Sequence, residues 1–330
     1  MATALTYVFF IIGLILIIKG GDIFVDSATK LANMLGVPKF IIGATIVSIA
    51  TTLPEIIVSI QATLSKNVDM AVGNAIGSVT ANTALILGLF ITFMPFEIKR
   101  KDISFKSIAM IFAVVFIIIG CIVTQKKELS FKGEVGEYYF LSALGVTLLF
   151  TVFAIFIFEN IKCIKSETKS DESKISYCTK EKVSCIILFI LGAVGIIFGA
   201  RLLVKYATQI AISLNISQRV ISVIAVAIGT SLPELVTALK KKSGSLSAGN
   251  ILGANIIDLT LILPICSLIS IARGTSELAV SLSCVNFDCV MCLGVILIAV
   301  LPTIISQKFQ RWQGILLLII YGIYIYFVVR

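Results

Sequence analysis

The sequence predicts an all-α polytopic membrane protein whose ten transmembrane helices form two inverted five-helix repeats. Three observations predict this fold: an apolar composition, ten long apolar segments, and a repeat that relates the two halves of the chain. Of the 330 residues, 58% are hydrophobic and 14% are charged, whereas a soluble domain carries about 25% charged residues. The chain contains no His, so imidazole bases, His-ligated zinc and His proton relays are excluded. An ordinary soluble enzyme is excluded as well.

Segments of about 18 or more apolar residues can cross a bilayer as helices. Ten such segments follow one another along the chain. The predicted spans are Leu5–Val25, Phe40–Leu64, Met70–Phe93, Ile103–Val123, Tyr138–Phe158, Val183–Val204, Val220–Leu239, Leu246–Ala272, Leu278–Ile304 and Gly314–Val329. Residues 159–182 are polar and rich in Lys, which is typical of a solvated linker loop. This linker separates a first five-helix repeat, residues 1–158, from a second, residues 183–330.

The distribution of basic residues predicts which loops face the cytoplasm. Ten spans place both termini on the same side of the membrane. If that side is outside, 18 of the 27 Lys and Arg residues lie in or beside cytoplasmic loops, as the positive-inside rule requires. We therefore expect an integral protein of the cell membrane with both termini outside and the linker inside. The basic residues alternate with apolar spans, so the bilayer is the expected partner, nucleic acid is not, and no obligate protein partner is evident.

The internal repeat aligns the first half of the chain with the second at a displacement of 179 residues. T-T-L-P-E at Thr51–Glu55 then falls on T-S-L-P-E at Thr230–Glu234. After a three-residue slip, G-N-A-I-G-S at Gly73–Ser78 falls on G-N-I-L-G-A at Gly249–Ala254. Because each half contains five spans, an odd number, the second copy enters the membrane in the opposite sense. Such repeats meet near the middle of the bilayer around a pseudo-two-fold axis.

Each copy of the repeated motif places a carboxylate inside a span. Glu55 and Glu234 are equivalent, and a charge at this depth costs about 2.5–3.5 kcal/mol on insertion scales, so it usually serves a function. The proline before each Glu leaves a backbone carbonyl one turn earlier without its donor. A free carbonyl in the membrane is tolerated where something polar meets it. Asn82 and Asp258 are equivalent to each other on the next span of each repeat.

Hydroxyl groups accompany these four side chains. They belong to Thr51, Thr52, Ser78, Thr230 and Ser231. Zinc, copper and iron prefer His or Cys ligands, whereas Ca²⁺ accepts about 6–8 oxygens in irregular geometry. Na⁺ is similar in size to Ca²⁺ and accepts hydroxyls and carbonyls. The oxygen set therefore predicts a site for calcium and sodium, with no cofactor. Asp288 is left outside this site, because its span is peripheral to the repeated motif.

The two motifs resemble the repeats of the cation/calcium antiporter superfamily, and within it those of prokaryotic sodium/calcium exchangers. The resemblance rests on G-A-T-I-V-S-I-A-T-T-L-P-E at Gly43–Glu55 and I-A-V-A-I-G-T-S-L-P-E at Ile224–Glu234, each followed by G-N-x-x-G. It implies antiport by alternating access, with the two motifs at about residues 43–88 and 222–264. The implied calcium ligands are Glu55 and Glu234, with Asn82 and Asp258 beside them. The implied sodium ligands are Thr51, Thr52, Ser78, Thr230, Ser231 and the carbonyls of Ser48 and Ala227.

One departure from the family pattern affects the sodium ligands. The second repeat has Ala254 where the first has Ser78, so one of the two symmetry-related sodium sites lacks a hydroxyl. The sodium stoichiometry therefore stays open. Two functions remain: a calcium-extruding Na⁺/Ca²⁺ antiporter, and a proton-driven calcium exchanger in which a site carboxylate carries H⁺. The hydroxyls favour sodium, since proton coupling does not need them. An enzyme is not expected, because the chain offers no evident base beyond the same carboxylates.

Overall fold

The computed structural model describes residues 4–34, 47–131, 134–167, 179–232, 234–235, 238, 244–274 and 277–330. Within these ranges the helices are α1 (Ala4–Met34), α2 (Val47–Thr51), α3 (Leu53–Leu64), α4 (Val68–Phe93), α5 (Arg100–Ile122), α6 (Ala143–Glu167), α7 (Thr179–Leu214), α8 (Gln218–Thr230), α9 (Gly244–Ile257, Asp258–Ile262 and Leu263–Ala272 in one run), α10 (Cys284–Ser306) and α11 (Arg311–Val329). The strands are β1 (Phe96–Glu97), β2 (Lys127–Phe131), β3 (Glu134–Leu141), β4 (Leu278–Ser281) and β5 (Lys308–Phe309).

Eight helices in the described part of the chain are long and apolar enough to cross a bilayer. They are α1, α4, α5, α6, α7, α9, α10 and α11, and each overlaps one predicted span. The second and seventh predicted spans contain the shorter apolar helices α3 and α8. Residues 40–46, 233, 236–237 and 239 of these two spans lie outside the described residues, as does the centre of the predicted linker, 168–178. The described ends of that linker are helical, because α6 and α7 extend into it.

The prediction of an all-α fold is wrong in one respect, because two predicted spans begin as strands. The fifth span was placed from Tyr138 and the ninth from Leu278, yet these residues lie in β3 and β4, and the helices begin at Ala143 and Cys284. Strand β3 lies between β2 and β4 in an antiparallel sheet. Hydropathy cannot distinguish a short buried strand from the start of a helix. A second small sheet pairs β1 with β5.

Helices α1 and α7 pack along each other as an antiparallel pair. A Cβ atom on Gly192 would lie 2.7 Å from the backbone nitrogen of Phe24, and one on Gly13 would lie 2.9 Å from that of Leu203. The backbones of α1 and α7 can therefore pack this closely only because glycine, which has no Cβ atom, occupies these positions. The pair is also longer than predicted, with 31 and 36 residues, since exposed charges near the ends do not stop a helix. At 1.5 Å per residue, both exceed the roughly 30 Å hydrocarbon core.

Helices α4 and α9 form the centre of the bundle. Their most apolar segments are 78% and 72% buried, against 22–44% for the other six long helices of the described chain. Each contains a π-helical turn, Ala81–Leu87 in α4 and Asp258–Ile262 in α9. Such turns are frequent at functional sites. They begin next to Asn82 and at Asp258, so the hydrogen-bonding pattern of both central helices changes where the sequence predicts ion ligands.

Candidate ion-binding site

Both copies of the L-P-E motif interrupt a helix at equivalent positions. In the first repeat α2 ends at Thr51, Thr52 forms a bend, and α3 begins at Leu53. In the second repeat α8 ends at Thr230 and Ser231 forms a turn. Pro54 occupies the first turn of α3, where the missing N–H removes no intrahelical bond. The proline of the second motif, at position 233, lies outside the described residues.

The backbone carbonyls of Ser48 and Ala227 are grouped with the predicted sodium-ligand hydroxyls. Ser48 O accepts hydrogen bonds from Thr51 Oγ1 at 3.2 Å and from Thr52 Oγ1 at 2.7 Å. Ala227 O accepts from Thr230 Oγ1 at 3.2 Å and from the backbone nitrogen of Ser231 at 3.1 Å. The two sets are equivalent under the repeat. Each offers a carbonyl and at least one hydroxyl within hydrogen-bond distance, and all of these residues are fully buried.

Three carboxylates are buried together between the repeats. Glu55, Glu234 and Asp258 expose 0%, 1% and 1% of their surface. Glu234 and Asp258 are near enough to Glu55 to repel its negative charge. Ser231 Oγ donates a hydrogen bond to Glu55 Oε1 at 3.2 Å, which joins the two motifs directly. Because buried charges are normally paired or bound to a metal ion, this cluster is suited to a cation.

Most unpartnered buried polar atoms belong to the predicted site. In the described residues, twelve buried side-chain nitrogen and oxygen atoms have no hydrogen-bond partner. Eight of them are Glu55 Oε2, Ser78 Oγ, both amide atoms of Asn82 and both carboxylate oxygens of Glu234 and Asp258. Native structures satisfy the large majority of buried polar groups. The concentration of exceptions at the predicted ligands therefore indicates a place where a polar ligand binds.

The oxygen donors differ in kind, and the carboxylates do not form a metal centre by themselves. In the ranges that the structure describes, no three His, Cys, Asp or Glu side chains are spaced to hold a metal ion on their own. Calcium at this site would therefore take part of its coordination from amide, hydroxyl or carbonyl oxygens or from water. Ca²⁺ accepts such mixed and irregular oxygen sets.

Two asparagines outside the predicted ligand set hold the motifs in place. Asn74 Nδ2 donates to Glu55 O at 3.2 Å, and Asn74 Oδ1 accepts from Thr230 Oγ1 at 3.3 Å. Asn250 Oδ1 accepts from Ser48 Oγ at 3.0 Å. Each is the Asn of a G-N-x-x-G motif. This motif could have identified both residues as candidate site residues from the sequence. Both bonds from Thr230 and Ser48 cross from one repeat to the other, so these amides fix the spacing between the two halves.

The two repeats approach each other closely at a pair of equivalent glycines. A Cβ atom on Gly77 would lie 3.0 Å from Ala227 Cβ, and one on Gly253 would lie 3.1 Å from Ser48 Oγ. Ser48 and Ala227 are themselves equivalent under the 179-residue displacement. The residue after Gly77 is Ser78, but the residue after Gly253 is Ala254. The geometry is therefore two-fold, while the residue that follows the glycine carries a hydroxyl in the first repeat alone.

Comparison with known proteins identifies the family. The family model described as "Sodium/calcium exchanger protein" matches residues 5–159 and 184–330. The chain belongs to the sodium/calcium exchanger family. This match confirms the resemblance inferred from the two motifs. Members of this family are ion transporters and not enzymes. This exchanger-family chain is also similar in sequence along its whole length to proteins of two archaea.

An uncharacterized membrane protein of Methanocaldococcus jannaschii is 34% identical over 95% of this chain and 94% of its own length. Sodium/calcium exchanger MaX1 of Methanosarcina acetivorans is 29% identical over 96% of both chains. Among solved structures, the sodium–calcium exchanger NCX_Mj soaked with 2.5 mM Na⁺ and 0.1 mM Ca²⁺ matches with a TM-score of 0.65, at 31% identity and over 98% of each chain. The fold of this chain is therefore similar to that of the solved structure over essentially the full length of both chains.

Proposed function

We propose that this protein is a secondary antiporter that exchanges Ca²⁺ for Na⁺ across the cell membrane by alternating access and extrudes calcium. The observation that carries the proposal is the group of buried, unpartnered oxygens on two equivalent interrupted helices and two equivalent π-helical turns. Ionisable groups inside a membrane protein typically mark an ion pathway. MaX1 and NCX_Mj, which match along their whole length, are named as sodium/calcium exchangers, which supports the same assignment.

The proposed calcium ligands are Glu55 and Glu234, with Asn82 and Asp258 beside them. The burial and mutual proximity of the three carboxylates support this assignment. The proposed sodium ligands are the hydroxyls of Thr51, Thr52, Ser78, Thr230 and Ser231 and the carbonyls of Ser48 and Ala227. The grouping of the Thr51, Thr52 and Thr230 hydroxyls around the two carbonyls supports this part of the second set.

We further propose ten membrane crossings in two inverted repeats, residues 1–158 and 183–330. The antiparallel packing of α1 and α7 places the start of α1 beside the end of α7. Asn67, which follows α3, donates a hydrogen bond to Thr208 near the end of α7, at 3.0 Å. The chain has therefore returned at Asn67 to the face from which α1 starts. This return supports one more crossing between Met34 and Asn67, which we assign to the segment that contains α2 and α3.

The two small sheets support the other short crossing. Strands β3 and β4 pair directly, so they lie at the same face, yet only three long helices, α6, α7 and α9, separate them in the described chain. Strands β1 and β5 also pair, and five long helices separate them. An odd number of crossings would put paired strands on opposite faces. The segment that starts with α8 lies in both intervals, and a crossing by this segment would give an even number in each, which supports the proposal.

The orientation of the protein is proposed from its basic residues. Lys99, Arg100 and Lys101 adjoin β1, and Lys308 and Arg311 lie in or beside β5. These two strands share one face of the bundle, and the positive-inside rule assigns that face to the cytoplasm. Both termini then lie outside. A membrane-impermeant thiol reagent should label a cysteine at Arg330 in intact cells, and it should label a cysteine at Lys99 only after the cells are permeabilised.

Flux measurements in proteoliposomes test the proposed exchange. Vesicles that contain the purified protein and are loaded with Na⁺ should take up radioactive calcium when they are diluted into a sodium-free medium. The same vesicles loaded with K⁺ should not. If calcium uptake instead follows an imposed proton gradient and ignores sodium, the proton-driven alternative is correct. Calcium uptake that is independent of both gradients would exclude antiport.

A further inference from the structure

A buried ion pair outside the predicted site joins α8 to α10. Arg219 donates from Nε to Asp288 Oδ2 at 2.7 Å and from Nη2 to Asp288 Oδ1 at 3.1 Å. Tyr324 on α11 donates its hydroxyl hydrogen to Asp288 Oδ1 at 3.1 Å. The Asp288 side chain is 0% exposed and that of Arg219 is 16% exposed. Such a bidentate arginine–carboxylate pair fixes the relative orientation of the two side chains as well as the distance between them.

The position of this pair connects it to the sodium-ligand set. Arg219 lies in the first turn of α8, the helix that carries Ala227 and Thr230. Asp288 is the last residue of a π-helical turn, Cys284–Asp288, at the start of α10. The structure describes four π-helical turns, in α4, α8, α9 and α10. Three of them lie in helices with predicted ligands, and the fourth ends at the carboxylate that holds Arg219.

Helix α8 meets α4 along a seam that starts at Arg219. The carbonyl oxygen of Arg219 and the side chain of Ser222 would lie 3.5 Å and 3.1 Å from a Cβ atom on Gly73. Ser222 Oγ donates to Met70 O at 2.7 Å. One turn further along, Gly77 meets Ala227, directly before Ser78. The seam therefore runs from Arg219 to the place where α4 offers the Ser78 hydroxyl and α8 offers the Ala227 carbonyl.

We propose that Arg219 and Asp288 are positioning residues that hold α8 against α4 and so set the sodium affinity of the half-site formed by Ser78 and Ala227. This inference rests on the proposed function. The half-site concerned is the one that keeps its hydroxyl, since the equivalent position is Ala254. A small rotation or shift of α8 would separate the two oxygens. Calcium coordination depends mainly on Glu55, Glu234 and Asp258 and is expected to be less sensitive.

We do not expect the pair to act mainly through stability. A buried ion pair contributes little to stability compared with well-packed apolar residues, whereas it does fix the geometry of its partners. The pair also places a cationic residue in the first turn of α8, a position that the helix dipole disfavours unless an anion is near. Asp288 is that anion. These features indicate that the pair aligns α8 with its neighbours. We therefore expect its loss to change the sodium affinity in addition to any effect on folding.

Substitutions in the pair test the inference with two readouts. Arg219→Gln and Asp288→Asn each break the bidentate pair, and Tyr324→Phe removes one hydroxyl with little risk to folding. Each protein is compared with the wild type by the sodium dependence of calcium uptake in proteoliposomes. The second readout is the rise in melting temperature on adding NaCl instead of choline chloride in detergent, because an ion that binds the folded state stabilises it. The charge exchange Arg219→Asp with Asp288→Arg tests rescue.

We expect Arg219→Gln and Asp288→Asn to raise the half-saturating sodium concentration by about fivefold, the coupling that packed networks typically carry, with a smaller rise for Tyr324→Phe. Calcium half-saturation should change by much less. Lys126→Gln is the matched control, because Lys126 and Glu137 pair at 3.7 Å with both side chains about half exposed, and it should leave both curves unchanged. The charge exchange should restore sodium affinity in part.

The outcomes separate this inference from the proposed function. If the charge variants fold and keep the wild-type sodium curve, the inference is wrong. If they fail to fold, an unchanged sodium curve for Tyr324→Phe overturns it, and a raised half-saturation supports it. If the wild type shows no sodium-driven calcium uptake, the proposed function fails, but the sodium-dependent melting temperatures still report whether the Arg219–Asp288 pair affects sodium binding. A wild type whose melting temperature does not respond to sodium would leave no site for the pair to position and would overturn the inference too.

Discussion

The asymmetry between Ser78 and Ala254 can be tested from both sides with Ser78→Ala and Ala254→Ser. Ser78 is fully buried, and its Oγ has no hydrogen-bond partner among the described residues. Removing this hydroxyl therefore breaks no described bond and should leave the fold intact. A sodium ion bound beside it would lose one oxygen in a region where water does not replace the missing ligand. The wild type already lacks the equivalent oxygen at Ala254.

The size of the effect follows from the value of one buried polar partner. Leaving a buried polar group or ion without one partner costs about 1–3 kcal/mol, and one or two kcal/mol is a factor of about 5–30 in an equilibrium constant. We expect Ser78→Ala to raise the half-saturating sodium concentration by about fivefold, since the Ala227 carbonyl and Thr230 hydroxyl remain. Ala254→Ser should lower it by less, because Ala254 is fully buried and an added atom must be accommodated in close packing.

The assay is the initial rate of calcium exchange in proteoliposomes across a sodium titration. Ser267→Ala is the matched control, since Ser267 is also fully buried with an unpartnered hydroxyl on α9 but lies outside the repeated motifs. Its sodium curve should match that of the wild type. Calcium half-saturation should change little in all variants, because the carboxylates are untouched. Identical sodium curves for wild type, Ser78→Ala and Ala254→Ser would refute the reasoning and would favour proton coupling.

Three further substitution sets give predictions of different kinds. Glu55→Gln and Glu234→Gln should each abolish calcium transport with no loss of folded protein, because each removes one negative charge from a divalent ion in a low-dielectric site; uptake at the wild-type rate would exclude that residue as a ligand. Asp258→Asn should weaken uptake less than either, since three carboxylates carry more charge than Ca²⁺ needs, and a larger defect would show direct use of its charge. Gly192→Ala should destabilise the protein by about 1–3 kcal/mol, because its Cβ would lie 2.7 Å from a backbone nitrogen of α1. In contrast, Gly322→Ala meets nothing within 4 Å and should melt like the wild type.

The sequence was most informative where chemistry and repetition coincide. Glu55 and Glu234 could be identified because a carboxylate in an apolar segment is rare. The repeat of the motif in the second half of the chain showed that the position of this carboxylate does not arise by chance. The structure buries both residues together with Asp258, and in the described part of the chain it leaves Glu55 Oε2 and both carboxylate oxygens of Glu234 and Asp258 without hydrogen-bond partners. Their burial was therefore predictable from the sequence. Their roles as ion ligands stay predictions until they are measured.

Other features depend on contacts that a sequence does not contain. Arg219 and Asp288 are 69 residues apart, and the sequence alone gives no reason to pair them, so Asp288 was left outside the site. Strands β3 and β4 pair residues that are still further apart in the sequence, such as Tyr138 and Ser281, and their apolar residues looked like helix starts. The ends of α1 and α7 were placed too early, because the charges near them point outward from an unbroken helix. In each case the feature is determined by tertiary packing, which the hydropathy of the sequence does not report.

The coupling of the two ions is tested most directly by measuring both fluxes in the same vesicles. Proteoliposomes loaded with radioactive sodium are diluted into sodium-free medium with radioactive calcium, and sodium efflux and calcium uptake are followed together for wild type and Glu234→Gln. We predict that calcium entry accelerates sodium exit in the wild type, that the two fluxes keep a constant ratio as calcium is varied, and that both coupled fluxes vanish in Glu234→Gln. Sodium exit that is unaffected by external calcium in the wild type would contradict Na⁺/Ca²⁺ exchange by this protein.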